Sequence, residues 1–140
     1  MKIYDAKGAV VGRMAAKVAK DLLSGEEVHV LNAAQMIFSG SPKYHKEKLT
    51  INRSLTDKRN PENAEKFPRV PYMLFKKAVG GMLPKKSQRG RDALKRLRAY
   101  DAIPAEIDAS KAEVYAPAVK DSLQKSMTLG NLCKAFGYKN

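Results

Sequence analysis

The sequence predicts an α/β fold that opens with a βαβ unit. Three observations carry this. Lys2–Ala6 reads as a short strand ending in a Lys7-Gly8 turn. Val11, Met14, Ala15, Val18, Ala19, Leu22 and Leu23 then recur at the spacing of one face of a helix. Glu27–Ala33 is short and rich in β-branched residues, which suits a buried strand. Strand, helix and strand within about thirty residues imply parallel pairing through a right-handed crossover. Gly25 is placed to end the helix in a left-handed cap.

The rest of the chain follows in order. Gln35–Gly40 is an apolar run whose type the pattern leaves open. Ser41–Leu55 favours helix, with Ser41 as N-cap, Pro42 in the first turn, and Tyr44, Ile51 and Leu55 on one stripe. Thr56–Pro71 carries Pro61, Pro68 and Pro71 with little apolar periodicity and reads as a long loop, ordered against a partner. Tyr72–Pro84 reads as a helix broken at Gly80-Gly81. Ser87–Ala99 reads as a second helix, with Ala93, Leu94 and Leu97 inward and Arg91, Lys95 and Arg98 along another face. Ala112–Ala116 reads as a strand. Thr128 caps a last helix that turns Leu129, Leu132, Cys133 and Phe136 to the core and ends at Gly137. A length of 140 residues suits one domain, 1–140, with a basic region at 41–100 inside it.

Charge is the least ordinary property. The chain holds 27 Lys and Arg against 14 Asp and Glu, a net charge of +13. Residues 41–100 hold 17 of those cations and five of the acids, so the two ends are nearly neutral. Such a surplus calls for a polyanionic partner. No apolar stretch is long enough to span a membrane. With one cysteine, no secretory h-region and no internal disulfide, the chain reads as cytosolic.

Catalysis and cofactors find little support. Gly8–Gly12 sits where a βαβ unit binds phosphate, but it matches neither the dinucleotide nor the P-loop spacing. Asn32 stands where a ribose-binding acid would be expected. His29 reads as a packed core histidine, His45 as part of a charged face, and Cys133 as inert packing. Asp92 reads as a first-turn helix charge or a partner of Arg96. No metal spacing occurs, so neither a metal nor another cofactor is expected.

The densest basic stretch is "GGMLPKKSQRGRDALKRLRAY", Gly80–Tyr100. Its cations point in several directions, and its glycines allow close backbone approach. Arginine suits bidentate phosphate contacts and lysine adds point charge. The expected RNA contacts are Lys43, Lys46, Arg53, Arg69, Lys76, Lys77, Lys85, Lys86, Arg89, Gly90, Arg91, Lys95, Arg96 and Arg98. Aromatic residues are few and scattered, so backbone-directed binding to structured RNA fits better than base stacking.

At "GMLPKKSQRGRDALKRLRAY" the chain resembles the large-subunit ribosomal protein L-thirteen family. The opening "IYDAKGAVVGRMAAKVAKDLLSGEEVHVLNA" is similar to that family's βαβ start, and the Arg-Gly-Arg form and short N-terminus resemble the archaeal and eukaryotic branch. Gly80 stands where the family usually has a basic residue, Ala102 where glycine is common, and Ile103-Pro104 where many bacterial members carry His-Pro. The resemblance implies a three-layer α/β/α core around a mostly parallel four-stranded sheet. It also implies binding to large-subunit ribosomal RNA beside neighbouring ribosomal proteins, a role in subunit assembly, a place in cytoplasmic ribosomes, and no catalytic activity. A free-standing RNA- or DNA-binding regulator or chaperone is the alternative, and a nucleotide-dependent enzyme is a third reading.

Overall fold

The computed structural model of the protein describes residues 1–120 and 124–139. Strand β1 (Lys2–Asp5), helix α1 (Val11–Leu23) and strand β2 (Val28–Leu31) form the expected parallel unit, with Tyr4 beside Val30. Helix α1 ends in a Schellman motif: Glu26 N–H donates to Asp21 C=O, Gly25 N–H donates to Leu22 C=O, and Gly25 takes a φ of 95°.

Next come β3 (Ile37–Ser39), α2 (Pro42–Ser54), α3 (Pro71–Met82), α4 (Gln88–Lys95), β4 (Leu97–Ala99), β5 (Glu113–Val114), β6 (Ser126–Thr128) and α5 (Leu129–Ala135). The main sheet runs β4-β2-β1-β5, and its pairings are all parallel. The architecture is a three-layer α/β fold around that sheet. Strands β3 and β6 pair antiparallel in a small second sheet, which settles the open type of Gln35–Gly40.

Parallel register places Tyr4, Val28, Val30, Leu97 and Ala99 on one face of the main sheet. The first four are buried, and this face joins Met14, Val18 and Leu22 of α1 with Phe75 and Val79 of α3 in one core. Helix α1 is buried along its apolar stripe because every third or fourth residue there is apolar.

Several expectations are corrected. Helix α3 runs through Gly80-Gly81 without a break; the Leu94 side chain lies 3.5 Å from where a Gly80 Cβ would be, so a small residue lets α4 pack close. The Ser87–Ala99 helix stops at Lys95. Arg96 turns the chain, and Leu97 enters β4 as a fully buried residue beside Val28. Arg98 therefore leaves the Arg91–Lys95 helical face. Strand β5 is only two residues long, and both are exposed. On α2 it is Leu49 that is buried, while Tyr44, Ile51 and Leu55 are exposed, and the Ser41 side chain makes no cap hydrogen bond. His29 is half-buried and stacks on Tyr100, so it is not a core residue. The last helix is largely as expected: Thr128 Oγ1 accepts from Asn131 N–H, Leu129, Leu132 and Cys133 are buried, and Gly137 has a φ of 89°, but Phe136 caps the helix and is only half-buried instead of facing the core.

The hydrogen bonds of Asp21 close the first unit. This buried carboxylate accepts from Tyr4 Oη at 2.8 Å, Lys2 Nζ at 3.1 Å and Lys17 Nζ at 3.3 Å. Burial by itself would raise its pKa, but the bonds from Tyr4, Lys2 and Lys17 outweigh burial and hold it below the usual range. Tyr4 is pushed well up, first by its burial and then by the bond to Asp21. A lowered folded pKa means stability that is fully present above the unfolded value, about pH 4, and lost as pH falls through the folded value. Asp21→Asn is expected to lose about 1.5–3 kcal/mol at neutral pH, the range for a hydrogen bond to a charged group. Denaturant titrations of both proteins from pH 7 to pH 2 should show the gap closing in acid; a gap independent of pH would rule out this ionic role.

Candidate nucleic-acid interface

The thirteen cations expected to contact RNA fall into two groups by what they touch. One group turns inward. Arg96 Nη2 donates to Leu22 C=O at 2.9 Å, and Arg89 Nη2 donates to Leu23 C=O at 3.1 Å. These carbonyls lie in the last turn of α1, beyond the reach of i+4 helical donors, with Leu22 C=O shared with the capping Gly25 N–H, and positive charge is favoured there. Lys77 Nζ lies 3.0 Å from Glu65 Oε1, donates to Lys66 C=O at 2.9 Å, and sits 3.9 Å from the Phe67 ring centroid. That contact pins the second half of the 56–71 loop on α3, and it holds the Glu65 carboxyl below its usual pKa. Arg53 is half-buried, with its guanidinium 5.7 Å from the Phe136 ring centroid, and so docks α2 on α5.

The other group faces solvent. Lys43 and Lys46 are exposed on α2, Arg69 in the loop before α3, Lys85 and Lys86 in the turn between α3 and α4, Arg91 and Lys95 on α4, and Arg98 on β4. Lys76 is half-buried on α3. Their internal partners are weak. Lys43 and Lys95 reach Glu47 and Asp92 only at 3.8 Å, and Arg91 bonds the neutral Gln88. Such exposed ion pairs contribute at most about 1 kcal/mol. Asp92 accepts from Gln88 Nε2 at 2.8 Å and does not pair with Arg96 as expected.

Gly90 is buried on α4, and the close approach it permits is to its own chain. A Cβ there would lie 2.1 Å from Pro84 C=O, backbone that cannot rotate away. Ser87 Oγ caps α4 by accepting from Gly90 N–H at 3.3 Å. The Lys85-Lys86 step is thus held in a tight turn between two packed helices.

The nucleotide position after β1 is filled. Val10 N–H, at the start of α1, donates to Ala118 C=O at 2.9 Å, and Arg13 Nη1 donates to Pro117 C=O at 3.2 Å. The 116–119 segment therefore lies over the crevice where an open parallel sheet takes a ligand. Asn32 turns its amide to Asp5 Oδ1 at 2.8 Å, tying the ends of β1 and β2. Burial pushes the Cys133 thiol up to about 12, which leaves it unreactive. Among the described residues no cluster of three or more His, Cys, Asp or Glu could hold a metal, and no helix is long and apolar enough to cross a membrane.

The fold, with its basic α3–α4 turn, accords with comparisons to known proteins. The family described as Ribosomal protein L13 matches residues 1–106. The chain belongs to that family. Among L13 relatives, the large ribosomal subunit protein uL13 of Methanococcoides burtonii is 40% identical, with 99% of each chain covered. That of Thermoplasma acidophilum is 35% identical, with 98% of each covered. That of Archaeoglobus fulgidus is 36% identical, covering 98% of this chain and 88% of its own. L13 proteins are described as ribosomal proteins.

One sequence residue that pattern reading missed is Asp101. Its Oδ1 accepts from Tyr72 N–H at 2.8 Å, satisfying the first turn of α3, and its Oδ2 accepts from Tyr138 Oη at 2.9 Å. The cap comes from 29 residues away, so no local motif announces it.

Gly90→Ala should lower the melting temperature, because the backbone must shift to admit a methyl group; overpacking of this kind costs about 1–3 kcal/mol. Lys86→Gln with Arg91→Gln should change stability by no more than about 0.5 kcal/mol. Thermal melts of the two variants check this, and a Gly90→Ala variant as stable as wild type would show that Pro84 yields freely.

Proposed function

We propose that this protein is a structural constituent of the large ribosomal subunit, located in cytoplasmic ribosomes. It binds large-subunit ribosomal RNA through the outward cations of residues 41–100 and supports subunit assembly beside neighbouring ribosomal proteins. Membership of the L13 family supports the ribosomal assignment. The single observation that carries the RNA-binding reading is the surplus of exposed, weakly paired cations between Lys43 and Arg98. On the free protein these charges repel one another. Against RNA they displace condensed counterions, and the released ions drive binding. They project from α2, the α3–α4 turn, α4 and β4, so they suit a folded RNA that surrounds several faces.

Arg53, Lys77, Arg89, Arg96 and Gly90 act in this reading by shaping the surface, with any phosphate contact made by the remaining face of each side chain. Lys43, Lys46, Arg69, Lys76, Lys85, Lys86, Arg91, Lys95 and Arg98 make the direct contacts.

Filter binding to large-subunit ribosomal RNA across a salt series tests the reading. If about 6–10 phosphates are contacted, log affinity should fall against log salt with a slope of about −5 to −9. A slope near −1 would overturn it. Sedimentation with large subunits in high salt separates a subunit constituent from a free-standing RNA-binding protein.

A further inference from the structure

Beside the edge strand β4 lies an open cleft of about 600 Å³, lined by Tyr72 and Lys76 of α3 and by the segment from Leu97 to Pro104. We propose that this cleft takes one unstacked nucleotide of the bound RNA, with its base against Tyr72 and Tyr100 and its phosphate between Lys76 and Arg98. The inference rests on the RNA-binding reading above and adds a site and a mode of contact to it.

Four observations carry it. The volume lies within the range of about 300–1,000 Å³ that small-molecule sites occupy, ample for one base and its ribose. Tyr72 and Tyr100, 28 positions apart in sequence, both line this hollow at the β4 edge. Base stacking on such rings is tolerant of sequence because every base has a flat π face. Tyr100 is held in place by His29, whose ring is 6.1 Å away and 27° from parallel. Lys76 and Arg98 line the same cleft, and among the described residues neither has a carboxylate within ion-pair distance.

Asp101 also lines the cleft and is the one group there that would oppose a phosphate. Both of its oxygens are engaged, one by Tyr72 N–H at the α3 N-terminus and the other by Tyr138 Oη. The two cations outnumber it, and a base amino group or ribose hydroxyl can share its remaining lone pairs. The apolar wall from Leu97, Ala99, Ile103 and Pro104 suits the flat face of a base. Ile103 is large and 49% exposed, a cost to the free protein that a stacked base would remove.

The test uses the full chain and a large-subunit ribosomal RNA. Tyr72→Leu keeps apolar bulk, and the bond from residue 72 to Asp101 is made by the backbone, so the fold should be retained; a thermal melt verifies this. It should weaken RNA binding about 5- to 100-fold without changing the salt slope. Tyr72→Phe should bind as wild type. Lys76→Gln with Arg98→Gln, which removes both cations from that one phosphate, should reduce the magnitude of the slope by about 1. Ultraviolet crosslinking and mass spectrometry on the wild type should find a nucleotide adduct at Tyr72 or Tyr100. Affinity within twofold of wild type in Tyr72→Leu, equal loss in Tyr72→Phe, or adducts only at other segments would each overturn the cleft. If the wild type keeps its steep slope, the ribosomal RNA reading survives that failure; if the wild-type slope is near −1, both fall together.

Discussion

Arg96 is the joint on which the basic half of this protein hangs. Its guanidinium donates to Leu22 C=O at the end of α1, and its own carbonyl accepts from Val28 N–H at the start of β2. One residue thus meets the end of a helix, the beginning of a buried strand and the point where α4 gives way to β4. Arg89 adds a second bond to the same end of α1. Carbonyls there have accepting capacity left beyond the capping bonds, Leu22 C=O also taking Gly25 N–H, and a cation suits the negative end of the helix dipole. With α4 fixed against α1, Leu97 can enter the core and the α3–α4 turn must project outward.

That arrangement addresses the central difficulty of a chain whose middle is so strongly positive. Self-repulsion opposes compaction. The fold meets it by sorting cations according to reach. Those near a helix terminus, a carboxylate or an aromatic ring bond back to the chain, as with Arg96, Lys77 and Arg53, and with Arg89, whose side chain stays exposed. The rest are spread over separate elements, where solvent and salt screen them. The cations that hold the basic surface in shape and those that face solvent are therefore largely different residues of one segment. Sequence alone made them look alike.

Buried polar contacts do the remaining joining. Asp21 ties β1 to α1 through Tyr4 and Lys2, and Asp101 ties the end of β4 to α3 and to the C-terminal Tyr138. Each carboxylate takes several donors, which is what permits the Asp21 charge to lie inside and Asp101 to be partly covered. Both act between elements distant in sequence, and both stand beside a tyrosine hydroxyl that supplies a donor without adding charge.

Local signals were enough for the parallel start of the sheet, for α1 with its glycine cap, and for α5 with its Thr128 cap. Periodicity and capping act over a few residues and survive in any context. The concentration of charge in residues 41–100 was likewise plain in the sequence, because net charge is additive. Tertiary structure decided the rest. Leu97–Ala99 carries helical spacing, yet pairing with β2 buries Leu97 and overrides that weak preference. Gly80-Gly81 looks like a break, yet the α3 backbone continues because α1 and α4 pack on it. Tyr72 and Tyr100 look scattered until α3 and β4 set them in one cleft. Which arginines in and beside α4 bind back to the chain could not be read locally either, since the carbonyls that Arg89 and Arg96 meet are 66 and 74 residues away and are brought within reach only by the packing of α4 on α1.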